Sequence, residues 1–326
     1  SVPARRKDRI YTSVGRIYGV YRAAAGVFYK IQSQTQITVI KQLWRFKMDE
    51  QRKKELKKLA LKVKKHVIVG TNRAKSGHPG GSLSCAEILT YLYFEKMNID
   101  PKNPQMENRD RFVLSKGHAA PALYGTLALR GFFPESEIEL LRKPNALLQG
   151  HPDRKHIPGV DMSTGSLGQG ISAAVGMALS SKHFGGNWRV YSIIGDGESE
   201  EGQVWEAAMF AGNKKLDNLA VFVDLNNLQI DGTLEEVNSP LPLDKKFEAF
   251  GWNVIVINGH DFDEIEAAVA AAENCKGRPT AIIANTVKGK DVSYMENAVE
   301  WHGSAPNDEL AEKALAELDA KIAQLD

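Results

Sequence analysis

The segment VYSIIGDGESEEG, residues 190–202, decides the fold class of this 326-residue chain. An apolar run ends there at a glycine-flanked aspartate, and a stretch compatible with a helix follows. The segment AVFVDLNNLQIDG, residues 220–232, repeats this arrangement with an apolar run that ends in paired asparagines. Short apolar strands that alternate with helices are typical of a parallel sheet wrapped by helices. The sequence therefore predicts a doubly wound α/β fold with a mostly parallel sheet and helices on both faces.

Two further apolar runs and the stretches between them support this fold. WNVIVING, residues 252–259, and PTAIIANT, residues 279–286, again end in polar or glycine residues. The stretches 204–213 and 262–274 are predicted helices that separate such runs. The final residues of the chain have helical spacing and predict a terminal helix capped by Asn307.

Residues 1–47 differ in composition from the rest of the chain. They contain ten of the 42 lysines and arginines and one of the 40 acids, which leaves residues 48–326 with a net charge of about −7. We expect residues 48–326 to form the folded domain, beginning with a Lys-rich amphipathic helix. We interpret residues 1–47 as a basic extension outside the fold. It is a translated upstream region or misassigned start, an Arg-rich targeting peptide or a functional arm.

Composition and charge exclude several classes of protein. The acidic body gives no reason to expect nucleic acid or a membrane as a partner. The sequence contains no run of eighteen apolar residues, so a membrane-spanning helix is excluded. Cys85 and Cys275 are too few for a disulfide framework or a four-ligand zinc site, and they fit a reducing compartment. We therefore expect a soluble, cytoplasmic protein.

The ends of two predicted strands place oxygen ligands at one edge of the sheet. Asp196 offers a carboxylate, Asn226 an amide oxygen and Leu228 a backbone carbonyl. This set suits Mg²⁺ or Ca²⁺ and does not suit zinc. One carboxylate leaves cation charge uncompensated, so we expect a diphosphate to complete the coordination, with Gly195 and Gly197 letting backbone amides approach it. The alternative is that GDG and NN form two ordinary turns.

One further motif does not support a second kind of ligand. GQGISA, residues 168–173, fits the GxGxxA form of a dinucleotide-binding turn. No convincing strand precedes it, and no acidic residue ends a strand about 20 positions later, as ribose binding requires. The sequence also has no GxxxxGK[ST] segment. Neither a dinucleotide-binding nor a P-loop function is predicted.

The pairing of GDG with NN resembles the thiamine-diphosphate motif, and four other segments resemble transketolase in particular. These segments are SGHPGGS, LSKGHAAPALYG, GHPDRKHIPGVDMSTGSLGQGISAAVGMA and WHGSAP. The similarity runs from about Lys54 to Pro306. It implies the thiamine-diphosphate-binding fold of that family, with thiamine diphosphate and Mg²⁺, or Ca²⁺, as cofactors.

The resemblance also implies a role for each matched position. The metal ligands are Asp196, Asn226 and the Leu228 carbonyl. The residues that contact the cofactor are His118, Gly165, Ser166, Leu167, Gly197, Asn226 and His302. The implied catalytic residues are His78, His118, His151, His302 and Glu201. Glu201 resembles the family's buried glutamate at the subunit contact, and the alternative is a solvated acidic start of a helix.

Histidines suit the reaction that this resemblance implies. Transfer of a two-carbon ketol unit from a ketose phosphate to an aldose phosphate requires a hydroxyl proton to be removed and an alkoxide to be protonated near neutral pH. The cofactor carries the carbanion chemistry, so the protein supplies positioning, anchoring and proton handling. Taken singly, each histidine is also explained as a turn residue that bonds the backbone.

Transketolases usually continue beyond this region with a second α/β domain, which binds the aminopyrimidine and carries an activating glutamate. Nothing after Pro306 can supply that domain. We therefore expect a split transketolase of carbohydrate metabolism, of the pentose phosphate pathway type. This chain pairs there with a separate C-terminal, pyrimidine-binding subunit, and the resulting α2β2 assembly acts on sugar phosphates.

Three alternatives remain open from the sequence. A related enzyme of the same architecture would act on another sugar phosphate, for example an apiose-derived or aminated one. A non-catalytic subunit would only hold cofactor or partner. A 1-deoxyxylulose-phosphate synthase is the third, although its family lacks the KGHAAPALYG pattern in this form.

Overall fold

A five-stranded sheet forms the centre of the region that the structure describes. The computed structural model describes Met48–Asp326, so the predicted extension at residues 1–47 lies outside the described residues. The strands are β1 (Arg111–Leu114), β2 (Val190–Gly195), β3 (Leu219–Leu225), β4 (Asn253–Asn258) and β5 (Thr280–Asn285). Every neighbouring pair is parallel, in the order β1-β2-β3-β5-β4. The predicted α/β class with a parallel sheet is confirmed.

Helices fill the connections between the strands. The α-helices are α1 (Glu50–Ala74), α2 (Pro79–Leu83), α3 (Ala86–Tyr91), α4 (Ala120–Arg130), α5 (Gln169–His183), α6 (Gly202–Asn213), α7 (Leu234–Val237), α8 (Leu243–Ala249), α9 (Phe262–Asn274) and α10 (Asp308–Ala323). Short 3₁₀ helices cover Gly117–Ala119, Glu135–Leu140, Gly197–Glu200 and Val299–Trp301, and a π-helical turn covers Leu92–Lys96. The predicted helices at 204–213 and 262–274 are confirmed. Across 48–326, no helix combines the length and apolar character needed to cross a bilayer.

Alternate residues of the strands pack into two separate hydrophobic cores. On β2, Tyr191 and Ile193 belong to the larger core, whereas Val190 and Ile194 belong to the smaller one. Helices α1, α3, α4, α9 and α10 cover the first face of the sheet, and α5, α6 and α8 cover the second. Strands buried on both faces need continuous apolar runs, which is the pattern that predicted them. The doubly wound arrangement is therefore present.

The first and last helices of the described region begin at polar caps. The Asp49 carboxylate accepts a hydrogen bond from the Arg52 N–H at 3.0 Å, which satisfies a free amide of the first turn of α1. The Asn307 amide oxygen accepts one from the Leu310 N–H at 2.8 Å, at the start of α10. The predicted terminal helix with its Asn307 cap is confirmed.

A buried ion network joins α1, α3, α10 and the loop after β5. Lys64 is fully buried, and its ammonium contacts the Glu87 carboxylate and, at 2.6 Å, Asp291 Oδ2. Lys321 of α10 lies 2.6 Å from the other oxygen of Asp291. Charges this deep are tolerated because each has a partner of opposite sign. The network fixes the loop that carries Lys288, a residue of the cavity described below.

The carboxyl ends of β2, β3 and β5 lie at the same edge of the sheet. Gly195 is paired in register with Asp224, and Leu225 is paired with Asn285. The chain therefore leaves β2 at Asp196 and β3 at Asn226 side by side. Ligands of open α/β sheets bind at this edge.

Candidate active site

A cavity of about 410 Å³ lies beyond these strand ends. The residues predicted from the sequence that line it are His78, His118, His151, Gly165, Leu167, Asp196, Gly197, Asn226, Leu228 and His302. Ser166 and Glu201 are not part of its wall. The fold thus brings together ten of the twelve predicted positions, which come from distant parts of the sequence.

Asp196 links the ends of β2 and β3. Its Oδ2 accepts hydrogen bonds from the backbone N–H groups of Asn226 at 2.9 Å and Asn227 at 2.6 Å, and its Oδ1 accepts one from Gly197 at 2.8 Å. Burial, together with the nearby Asp224 carboxylate, raises the pKa of Asp196 to about 6. A buried carboxylate that lacks a salt bridge is a favourable place for a cation.

Asn226 and Leu228, which carry two further oxygen ligands, line the same cavity as Asp196. The Leu228 N–H donates to the Asn226 side-chain oxygen at 3.2 Å, so the chain curls and brings the Leu228 carbonyl to the same wall. Carboxylate, amide and carbonyl oxygens are the ligands that Mg²⁺ and Ca²⁺ prefer. Between Met48 and Asp326, no cluster of three or more His, Cys, Asp or Glu side chains is arranged to hold a metal. The donor set around Asp196 fits a hard divalent cation.

A buried ion pair that we did not predict supports the floor of the cavity. The Lys116 ammonium contacts the Asp224 carboxylate and donates to the Gly81 carbonyl at 2.7 Å. Asp224 also accepts hydrogen bonds from the hydroxyls of Ser84, at 2.6 Å, and Thr286. Burial alone would lower the pKa of Lys116, but Asp224 outweighs it and raises that pKa. The pair fixes the end of β3 against α2.

Glu198 is a second buried carboxylate that we did not predict. It is 2% exposed, and it accepts hydrogen bonds from the Ser115 hydroxyl at 2.5 Å, the Gly168 N–H at 2.9 Å and the Gly195 N–H at 2.9 Å. These donors belong to the end of β1, the loop before α5 and the end of β2. Glu198 therefore holds together three segments that border the cavity.

Four predicted histidines, His78, His118, His151 and His302, form a cluster on one side of the cavity. The ring centroid of His78 lies 5.3 Å from that of His118, 5.6 Å from that of His302 and 6.3 Å from that of His151. The rings of His118 and His302 stack at 5.2 Å. This histidine cluster is assembled by the fold, because its members lie in four separate segments.

The histidine cluster is uncharged at neutral pH. Burial lowers the pKa of all four rings, to about 4 for His78 and about 3 for His302. The positive charge of Arg142 adds to this effect at His78, and that of Lys288 adds to it at His302. A neutral imidazole has one nitrogen that donates and one that accepts a proton. The cluster can therefore both take up and deliver protons.

Lys288 places a positive charge in the wall of the cavity and was not predicted from the sequence. Its ammonium donates to the Leu228 carbonyl at 2.9 Å and lies 2.7 Å from His302 Nδ1. Burial lowers the pKa of Lys288 to about 8, so the group is still largely protonated at neutral pH. An ammonium in this position is suited to bind an anion such as a diphosphate.

The loop before α5 approaches the histidine cluster closely at Gly165. This residue has φ = +148°, and a Cβ placed on it would lie 2.9 Å from the His151 ring. A side chain there would clash and strain the backbone, so glycine is required. Gly165 and Leu167 line the cavity, while Ser166 lies between them outside its wall.

Glu201 directly precedes α6, and the resemblance implies that it is buried at a contact with another subunit. Its side chain is exposed in the described chain. The buried carboxylate of this segment is instead Glu198. Burial of Glu201 therefore requires a second protein surface.

The fold and the cavity define a class of protein, the α/β domains that bind an anionic cofactor beyond the carboxyl ends of parallel strands. Residues 57–321 match the family model described as "Transketolase, thiamine diphosphate binding domain". The chain belongs to this family. The predicted relationship to the diphosphate-binding half of transketolase is confirmed.

Three known proteins show how much of a transketolase this chain represents. It is 51% identical over 243 residues to the 6-deoxy-6-sulfo-D-fructose transketolase subunit SqwG of Clostridium sp. (strain MSTE9), covering 74% of this chain and 88% of that protein. It is 41% identical over 265 residues to a subunit of the apulose-4-phosphate transketolase of Phocaeicola vulgatus, covering 81% and 94%. The transketolase structure from Leishmania mexicana superimposes with a TM-score of 0.78 at 31% identity, over 82% of this chain and 41% of that one.

Proposed function

We propose that this chain is the diphosphate-binding subunit of a split transketolase. With thiamine diphosphate and Mg²⁺, the assembled enzyme transfers a two-carbon ketol unit from a ketose phosphate to an aldose phosphate. The observation that carries the proposal is the convergence of Asp196, Asn226 and the histidine cluster on one cavity. A cation site and a set of neutral proton carriers are the two parts that this chemistry requires from the protein.

In this proposal, Asp196, Asn226 and the Leu228 carbonyl bind Mg²⁺, and Ca²⁺ fits the same oxygens. The backbone N–H of Gly197 and the ammonium of Lys288 are suited to face the diphosphate. The remaining proposed cofactor contacts are His118, Gly165, Ser166, Leu167 and His302. Once bound, the cofactor supplies the electron sink for cleavage of the carbon–carbon bond.

The histidine cluster is proposed to move protons at the substrate. Its rings are neutral, so one can accept the proton of a donor-sugar hydroxyl while another donates to an acceptor oxygen. His78 is the most central member, because its ring lies within 5.3 to 6.3 Å of the other three.

A second polypeptide is proposed to complete the site. The chain spans 88% and 94% of two proteins named as transketolase subunits but 41% of a longer transketolase. On the likeness to those two subunits, we assign the pyrimidine-binding half to a separate subunit, in an α2β2 assembly. Met209 and Phe210 on α6 are 57% and 42% exposed, and Ile230 at the cavity wall is 64% exposed. Ile230 lines the cavity, whereas Met209 and Phe210 lie in the second half of α6. Exposed apolar side chains of this kind mark surfaces that bind another protein. Glu201 begins the same helix as Met209 and would be buried there.

The donor sugar is open between two candidates. A classical ketose phosphate is the first. The second is a less common ketose of the kind that the names of the two similar subunits contain. Those names contain 6-deoxy-6-sulfo-D-fructose and apulose 4-phosphate. All of these donors carry an anionic group, and all present the same ketol unit to the cofactor.

Reconstitution tests the proposed function. This chain is purified with the product of an adjacent reading frame that encodes a pyrimidine-binding half, and ketol transfer is measured with thiamine diphosphate and Mg²⁺ for each donor. We expect activity from the mixture and none from either chain alone. Full activity of the lone chain would contradict the split assembly, and an inactive mixture with every donor would favour a non-catalytic subunit.

A further inference from the structure

Arg142 lies between the two loops that carry His78 and His151. Its Nη1 donates a hydrogen bond to the Ser76 hydroxyl at 2.7 Å, and its Nη2 donates to the Gly150 carbonyl at 3.4 Å. Ser76 lies two residues before His78, and Gly150 directly precedes His151. One guanidinium thus contacts the segments that directly precede both histidines.

The surroundings of Arg142 are built for this contact. A Cβ on Gly150 would lie 3.1 Å from Arg142 Nε and 3.2 Å from its Cζ, so a side chain there would push the guanidinium away from the backbone. The backbone of Arg142 has φ = +60°, which is uncommon for a residue with a side chain. Its N–H is held by the Leu148 carbonyl at 2.9 Å. Such a conformation persists where the surrounding structure determines it, often near functional sites.

The charge of Arg142 reaches both rings. After burial, it is the largest influence that lowers the pKa of His78 and of His151. Lys288 also lowers the pKa of His78, as does His151 when its ring is protonated. The centroids of the two rings are 6.3 Å apart, which is close enough for both to contact one small substrate.

We propose that Arg142 is a positioning residue for the ketol-transfer reaction. Its forked guanidinium connects the Ser76–His78 loop to the Gly150–His151 loop and holds the two histidines at a fixed separation in the wall of the cavity. Lysine cannot replace it, because a single ammonium lacks the planar fork that contacts two loops in a defined geometry. The proposal rests on the proposed function, because the two histidines matter only if they act on substrate.

Two variants separate the fork of Arg142 from its charge. Arg142→Met removes both, whereas Arg142→Lys keeps the charge. Lys143→Met is the matched control, since Lys143 is exposed and adjacent in sequence. Each variant is examined in the reconstituted complex by steady-state kinetics, and in the full chain by NMR titration of ¹⁵N-labelled histidines.

We expect Arg142→Met and Arg142→Lys to lower kcat by roughly 10- to 100-fold with a much smaller change in KM, because misplacement of reacting groups by about 1 Å has this effect. In the titration, Arg142→Met raises the pKa of His78 and His151 by about one unit, and Arg142→Lys leaves both lowered. Lys143→Met changes neither quantity. A thermal melt checks that each variant is folded. If Arg142→Met does not fold, Ser76→Ala replaces it as the test. Ser76→Ala removes only one contact of Arg142 and should give a smaller fall in kcat.

The proposal is overturned if Arg142→Lys retains the kcat of the unaltered complex, or if Arg142→Met leaves the titration of both histidines unchanged. These outcomes differ from failure of the proposed function. If the proposed function is wrong, the unaltered complex is itself inactive, while the titration still shows whether Arg142 acts on both rings.

Discussion

Asp196 is the residue on which the proposed cation site depends. It is the only carboxylate among the proposed ligands, and its oxygens also receive the amides at the end of β3. Asp196→Ala is expected to weaken Mg²⁺-dependent binding of thiamine diphosphate by more than roughly 100-fold. Loss of a residue that only supports a metal ligand already weakens metal binding by roughly 10- to 100-fold. Isothermal titration calorimetry of the reconstituted complex measures this change.

The matched control for Asp196→Ala is Glu235→Ala, which removes an exposed acid from α7. It should leave cofactor affinity and ketol transfer unchanged. Ketol transfer that survives Asp196→Ala would contradict the cation site and revive the alternative of a subunit without a catalytic role.

Glu198 is expected to stabilise the cavity rather than bind the cofactor. Glu198→Ala leaves the Ser115 hydroxyl and the amides of Gly168 and Gly195 without their acceptor. Each unsatisfied buried donor costs about 1 to 3 kcal/mol, so the free energy of unfolding should fall by several kcal/mol. Urea denaturation measures the fall, with Glu200→Ala on the neighbouring, less buried acid as the control. Unchanged stability would show that these donors find other partners.

The predictable residues of the site are those whose types indicate their chemistry. Asp196, Asn226 and the four histidines lie in glycine-flanked motifs, and the structure brings them to one cavity. Glu198, Lys116 and Lys288 were missed because their function depends on partners distant in sequence. Asp224 gave a usable signal, since a carboxylate inside the apolar run AVFVDL must find a partner when that strand is buried.

At the scale of elements, the Lys64 network is expected to make stability depend on pH. Burial alone would raise the pKa of Glu87 and Asp291, but Lys64, together with His260 at Glu87 and Lys321 at Asp291, outweighs it and lowers both pKa values. Carboxyls with lowered pKa stabilise the fold above their unfolded values of 4.5 and 3.8, and this contribution is lost as the pH falls through the folded values. Lys64→Met should reduce the free energy of unfolding at pH 7 by about 3 to 5 kcal/mol.

Urea denaturation at neutral and acidic pH checks this expectation. The unaltered chain should lose stability on acidification, and Lys64→Met should lose less, because Glu87 and Asp291 keep only His260 and Lys321 as partners and are easier to protonate. The control is Lys65→Met, on the same helix as Lys64. It breaks an exposed ion pair with Asp319 of α10 and should lower the free energy of unfolding by no more than about 1 kcal/mol. Equal pH dependence in Lys64→Met and the unaltered chain would contradict the role of the network.

The first and last helices, the helices at 204–213 and 262–274 and four of the strands were predictable because their patterns are local. The strand β1, Arg111–Leu114, was not predicted, since it has only three consecutive apolar residues and gives too short a pattern. The order of the strands in the sheet could not be predicted from the sequence either. The chain places β4 at the edge and β5 inside it, and this depends on packing between distant segments.

At the scale of the whole molecule, the exposed apolar side chains of α6 are expected to bind the second subunit. Phe210→Glu should weaken the complex by at least about tenfold, because a charge would be buried in an apolar contact. Its effect on the stability of the lone chain should stay within about 0.5 kcal/mol, as is usual at exposed positions. Sedimentation velocity of the mixed subunits measures the association.

Phe184→Glu provides the control for Phe210→Glu. Phe184 is 77% exposed and follows α5, before the amino end of β2 and away from the cavity. Phe184→Glu should leave the association of the two subunits unchanged. An unaltered complex with Phe210→Glu would place the partner on another surface.

The most direct test of the cation site is a crystal structure of the reconstituted complex grown with thiamine diphosphate and Mn²⁺ in place of Mg²⁺, with anomalous data. The account predicts one anomalous peak next to the diphosphate, roughly 2.0 to 2.6 Å from oxygens of Asp196, Asn226 and Leu228. A cofactor whose metal and diphosphate lie outside the cavity between β2 and β3 would contradict it.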